Sequence, residues 1–190
     1  FAAIVLGPLM AVDDAPWLFT LAFIAVTVTV GAVGGWVNGL LIARVGLTPI
    51  LCTLGTQLLF AGLAVVLSGG PSVRVGSAEP LMALGNDSLL GLPISFLVYC
   101  ACLVAVGLML THAPTGQRLL LMGTNPVAAR FAGFRQDRLL ILTYTLSGAL
   151  AGVAGVLIAS RNVNVKWDYG QSYLLIAILI TVMAGVRPEG

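Results

Sequence analysis

The side chains that could do chemistry are few. The chain has one histidine, His112, and three cysteines, Cys52, Cys100 and Cys102. A metal site needs a cluster of nitrogen, sulfur or carboxylate ligands. His112 sits at the end of an apolar run beside no Cys, Asp or Glu, and we read it as an interfacial residue. The cysteines lie inside apolar runs, and their odd count makes no disulfide framework. They fit small hydrophobes in helix contacts. Nucleophilic catalysis needs a serine or cysteine beside a base, and one histidine with acids only in loops supplies this poorly. No GxxxxGK[ST] phosphate loop occurs, so ATP-driven work would fall to another chain. We expect no cofactor on this one. What is left is hydrogen bonding by neutral groups. Asn38, Thr53, Thr56 and Gln57 stand near expected helix breaks, and the last three share one helical face by spacing.

Those residues must be held by elements suited to lipid. Hydrophobic residues make up 59% of the 190 and charged residues 8%, with a mean hydropathy of +1.06. A soluble domain carries about 25% charged residues. A chain this poor in charge cannot cover its surface in water, so its main solvent is lipid. The net charge of +2 is too small to suggest nucleic acid. The chain opens on Phe1 and closes on "RPEG", and we expect an internal piece of a longer membrane protein.

A helix needs about 20 apolar residues to cross the hydrocarbon core. Five segments are candidates, which predicts an all-α polytopic transmembrane helix bundle. They are Trp17 to Ala43, Pro49 to Leu67, Pro93 to Thr111, Leu139 to Ser160 and Tyr173 to Val186. The first is long, so a tilt or a break at its glycines is expected. The last is short, so it is half a helix or continues past the end. "SGGPSVRVGSAEPLMALGNDSLLGLP" is predicted as a loop from its Gly, Ser and Pro. "RNVNVKWDYGQS" is predicted as a second polar loop. No span carries a charge near its centre, which disfavours proton- or ion-driven transport. "GAVGGWVNG" places Gly31, Gly35 and Gly39 four apart, and "SGALAGVAG" does the same for Gly148 and Gly152. Small residues at that spacing let helix backbones approach closely in lipid.

Lys and Arg in alternate loops set the orientation. One side holds Arg44, Arg118, Arg130, Arg135, Arg138 and Arg187; the other holds Arg74, Arg161 and Lys166, with Asp13, Asp14, Glu79 and Asp87. The first side is cytoplasmic on this count. It includes "MGTNPVAARFAGFRQDR", residues 122–138. Asn125 suits a helix cap, Pro126 the first helical position and Gly133 the position after the end. The segment is then a short helix outside the bilayer with a small face of Ala128, Ala129 and Ala132. On residue chemistry alone, a solvated loop that only fixes topology fits as well.

Gly123-x-Asn125-x-x-Ala128-Ala129-x-x-x-Gly133 is followed by "YTLSGALAGVAGVLIASR". Together they resemble the permease subunits of bacterial ABC importers for ribose, xylose and related monosaccharides. "VNGLLIARVGLTPILCTLGTQLLFAGLAVVLSGG" and "GQSYLLIAILITVMAGVRPEG" resemble further stretches of that family. The resemblance covers about residues 31 to 190. Ala184-Gly185 stands where members often have Gly-Gly, and members usually have several further spans.

The resemblance implies one transmembrane permease domain over residues 1–190, as a fragment, in the bacterial inner membrane. It implies partner ATP-binding cassette ATPase subunits, an extracytoplasmic sugar-binding protein and a second permease copy. It implies a cytoplasmic coupling segment, residues 112–138, whose helix docks in a groove on the ATPase through Gly123, Asn125, Ala128, Ala129 and Gly133. Its arginines would pair with acids on the ATPase or with lipid phosphate. A sugar is neutral and hydroxyl-rich, so Asn38, Thr53, Thr56 and Gln57 become candidates for its path; interhelical hydrogen bonds remain their other reading. The rival functions are a nucleoside or autoinducer-type importer of the same fold, an ion-coupled secondary transporter, and an integral membrane enzyme.

Overall fold

The structure, a computed structural model, describes residues 16–69, 72–74, 79–89, 91–124, 129, 131–162, 164–166 and 169–185. Among the described residues, four helices are long and apolar enough to cross a membrane. They are α1 (Pro16–Leu40, continued by a wider π-helical turn at Leu41–Val45), α2 (Pro49–Ser68), α4 (Ile94–His112) and α6 (Gln136–Arg161). Between them lie β1 (Ser72–Arg74), α3 (Glu79–Asn86), the two-residue strands β2 (Ser88–Leu89) and β3 (Leu92–Pro93), and α5 (Pro114–Thr124). After α6 come β4 (Asn164–Lys166) and α7 (Tyr169–Met183). At 15 residues, α7 is about 22 Å long, short of a hydrocarbon core of about 30 Å.

The predicted bundle is observed, and its centre is the pair α1–α6. The two glycine motifs face each other. A Cβ built on Gly152 would lie 2.8 Å from Val28 Cα, one on Gly148 2.9 Å from Gly35 Cα, and one on Gly39 2.8 Å from Ile141 Cα. Numbers rise along α1 as they fall along α6, so the helices run antiparallel with their backbones in contact. In lipid this close packing, not exclusion of water, holds helices together. The expected break of the first span at its glycines does not occur. Those glycines are pinned against α6, and the winding changes only at Leu41–Val45, before Gly46 ends the helix at φ +74°.

Phe19 and Phe23 stack with ring centroids 6.2 Å apart. They form the core with Leu81, Val156 and Ala159. Leu81 belongs to α3, inside the stretch predicted as a loop. That expectation is corrected. Glycines and prolines at its edges hid an eight-residue helix, which is held by tertiary contact. Gly85 sits against Ser160, and Arg161 Nε donates to the Gly85 carbonyl at 3.3 Å. The two predicted outer loops also pair directly, β1 with β4 antiparallel, Val73 opposite Val165.

Threonine hydroxyls within the spans are satisfied inside their own helices. Thr27, Thr143 and Thr145 each donate to the carbonyl four residues back, at 2.6 to 2.8 Å. Among the described residues no buried side-chain nitrogen or oxygen lacks a partner. Hydrocarbon offers none, so the chain must supply them.

Arg44, Arg118, Arg135 and Arg138 gather at one end of the bundle, and Arg161 with the β1–β4 pair at the other, as alternating spans require. On the arginine count the first end faces the cytoplasm. Single cysteines at Thr124 and Asn86, both exposed, test this in the full-length protein without native cysteines. An impermeant thiol reagent applied to intact cells should label position 86 and spare 124. The reverse pattern would overturn the topology.

Candidate functional site

The basic end is built from a tight corner and a capped turn. α4 ends at His112, whose Nδ1 lies 2.7 Å from Thr111 Oγ1, and α5 starts two residues later. Gly116 packs onto the backbone of Met109 and Leu110, with its N–H donating to the Ala113 carbonyl at 3.0 Å. α5 was not anticipated: within the segment 112–138 the sequence suggested a helix only after Asn125, yet Pro114–Thr124 is helical as well. Its apolar residues fall too close together to stand out between two spans.

Asn125 and Ala128 lie outside the described residues, as do Pro126, Val127 and Arg130. Ala129 and Phe131 are helical. The Phe134 N–H donates to the Ala129 carbonyl at 3.2 Å, across Gly133 at φ +77°. This is the helix-ending motif in which a left-handed glycine lets the next N–H reach back to the last turn. Gly133 has the local role its position suggested. Gly123 is in the last turn of α5 with open space around it.

Exposure divides the segment unexpectedly. Ala129 is only 4% exposed and Phe131 89%. The chain's own atoms cover Ala129, while Phe131 and Ala132 are exposed. A small-residue face gave no sign of this, because alanines suit an inward contact as well as an outward one. Phe131, the most exposed of the described large hydrophobic residues, is a residue the sequence reading did not single out.

Beyond Gly133 the chain enters α6. The Phe134 ring lies 5.9 Å from the Arg118 guanidinium carbon, joining α5 to the start of α6 by a cation–π contact. Arg118, Arg135 and Arg138 rim a groove of about 530 Å³ here.

The four neutral polar residues lie where α1 nears α2. The Cys52 thiol approaches Asn38 Oδ1 at 3.9 Å. Thr53, Thr56 and Gln57 begin a half-buried stripe on α2 that continues to Phe60, whose ring packs near Gly34. The Thr53 hydroxyl donates to the Pro49 carbonyl at 2.9 Å and that of Thr56 to the Thr53 carbonyl at 3.0 Å. Neither threonine donates to another helix.

The family described as "Branched-chain amino acid transport system / permease component" matches residues 1–190. The chain is 33% identical over 172 residues to the Autoinducer 2 import system permease protein LsrD of Yersinia enterocolitica, covering 88% of this chain and 52% of that protein. It is 35% identical over 154 residues to the L-arabinose transport system permease protein AraH of Escherichia coli, covering 81% and 47%. To LsrD of Photorhabdus luminescens it is 33% identical over 174 residues, covering 89% and 52%. The chain spans about half the length of the curated relatives it matches. No solved structure matches it. With four membrane-length helices, two mated glycine stripes and a family match that runs from end to end, the chain belongs to the permease-component family of branched-chain amino acid transport systems.

Proposed function

We propose that the full-length protein is the permease subunit of an ATP-binding cassette importer that carries a simple sugar into the cytoplasm. The observation that carries this is the family match together with the 35% identity to an arabinose permease. ATP is hydrolysed on separate ATPase subunits, and an extracytoplasmic binding protein delivers the sugar to a pair of permeases. Substrate passes beside Asn38, Thr53, Thr56 and Gln57, which bond hydroxyls without holding charge.

The coupling segment works through its exposed ring. Phe131 seats in the ATPase, and Gly133 fixes the helix end that presents it. Closure of the ATPase pair pushes on the link between α5 and α6. One side of the link is α5, locked to α4 at Gly116; the other is α6, which begins at Gln136. Because α6 is in backbone contact with α1, the two move as one body.

The autoinducer permeases among the relatives favour a second reading, an autoinducer-type importer of the same fold. Uptake of labelled arabinose, ribose, xylose and autoinducer 2, by cells with and without the full-length gene, separates the two. Sugar uptake that depends on the gene and on a partner ATPase is expected. Dependence for autoinducer 2 alone selects the second reading, and uptake that survives loss of the ATPase sinks both.

A further inference from the structure

The groove at the start of α6 has a rim and a wall of different character. Three guanidiniums rim it, from Arg118, Arg135 and Arg138, and no carboxylate is among its described lining residues. Asp137 lies between two of those arginines in sequence, yet it does not line the groove. The wall is apolar: Phe134, Leu139 and Leu142. Leu139 is buried and is the first apolar residue of the span, directly after Arg138. Leu142 follows three residues on. The lining thus passes from cationic to hydrocarbon within about one helical turn, roughly 5 Å.

We propose that this groove holds the phosphate of an anionic phospholipid from the leaflet at the basic end, with the lipid's glycerol and first methylenes against Phe134 and Leu142. The three guanidiniums supply positive charge and hydrogen-bond donors to phosphate oxygens. Contact with the Phe134 ring limits the freedom of the Arg118 guanidinium before any ligand arrives. The start of α6 adds the positive end of its helix dipole. A soluble phosphate shares the charged half of this chemistry but has no use for the apolar wall. An acidic surface on a protein partner shares the charge but would have to reach to the depth of Leu142. The bound lipid ties α5 to α6 through Arg118 and Arg138, beside the proposed coupling segment; the site does not depend on the sugar reading.

Native mass spectrometry of the purified full-length permease tests the proposal, with phosphatidylglycerol, cardiolipin or phosphatidylcholine added. The wild type should retain both anionic lipids in preference to phosphatidylcholine, and less so as salt rises. Each arginine lost should lower retention about five-fold, so Arg118→Gln with Arg138→Gln should lower it about 25-fold. The Arg118→Lys, Arg138→Lys pair, which keeps the charge, should retain most of it. Equal retention by the glutamine pair, or no preference over phosphatidylcholine, overturns the proposal. Loss in the lysine pair as great as in the glutamine pair also overturns it, since retention would then report folding and not charge. Displacement of the lipid by millimolar inorganic phosphate would reassign the groove to a soluble anion. Unchanged lipid with loss of a co-purifying ATPase would reassign it to a protein partner.

Discussion

Alanine at Gly35 or Gly148 is expected to remove most of the folded full-length protein from the membrane, while alanine at Gly55 or Gly107 leaves its amount unchanged or slightly higher. A Cβ on Gly35 would press into the Tyr144 carbonyl oxygen, 2.9 Å from its carbon and 3.1 Å from Gly148 Cα. One on Gly148 would press into the Gly31 carbonyl oxygen, 2.9 Å from Gly35 Cα. These neighbours are backbone, so no side-chain rotation relieves the clash. Overpacking of a tight contact costs about 1–3 kcal/mol, against a net stability of about 5–15 kcal/mol for a typical domain. Here the helices must also separate along their length, which loosens the contacts at Gly31, Gly39 and Gly152. At Gly55 and Gly107 nothing lies within 4 Å of a new Cβ. There only helix propensity acts, favouring alanine by about 1 kcal/mol. Monodisperse protein after detergent extraction, and its thermal midpoint, are the readouts. Wild-type yield and midpoint for Gly35→Ala would mean that α1 and α6 do not touch through their backbones.

Phe131→Asp is expected to leave the permease inserted and folded while it loses its ATPase and its uptake. Phe131 is almost fully exposed, so the permease gives up no packing of its own. Burial of a phenylalanine in a partner is worth about 1.5–3 kcal/mol, and an unpaired carboxylate in the same place adds a penalty. A loss of about 3 kcal/mol weakens binding more than about 100-fold. Phe131→Leu keeps most of the apolar contact and should keep most of the uptake. Ala129→Glu should behave differently: its carboxylate falls inside the permease, since Ala129 is buried there, and the amount of folded permease itself should drop. Co-purification of the ATPase, uptake and permease yield are measured for all three variants. Phe131→Asp with normal ATPase binding and normal uptake would reduce residues 129–134 to a turn that fixes topology.

These two outcomes also mark the line between what the chain's own letters determined and what its packing decided. The membrane class, four full spans, the short last helix and the alternation of basic and mixed ends were legible, because they depend on composition and length along a continuous stretch. The ending at Gly133 was legible for the same reason: a left-handed glycine and the carbonyl it frees lie within one turn of each other. The close-packing character of Gly31, Gly35, Gly39, Gly148 and Gly152 could be read from spacing alone. That the two stripes meet each other could not. In lipid, a face turned to hydrocarbon and a face turned to another helix are equally apolar, so the sequence marks a contact without naming its partner. α3 was hidden because its helix is stabilised by Phe19, Val156 and Ser160, which lie far away in the chain. The β1–β4 pairing joins equally distant segments. The same reason governs Ala129 and Phe131. Alanine fits a buried contact or an exposed groove equally well, and only the folded structure shows Ala129 buried and Phe131 bare.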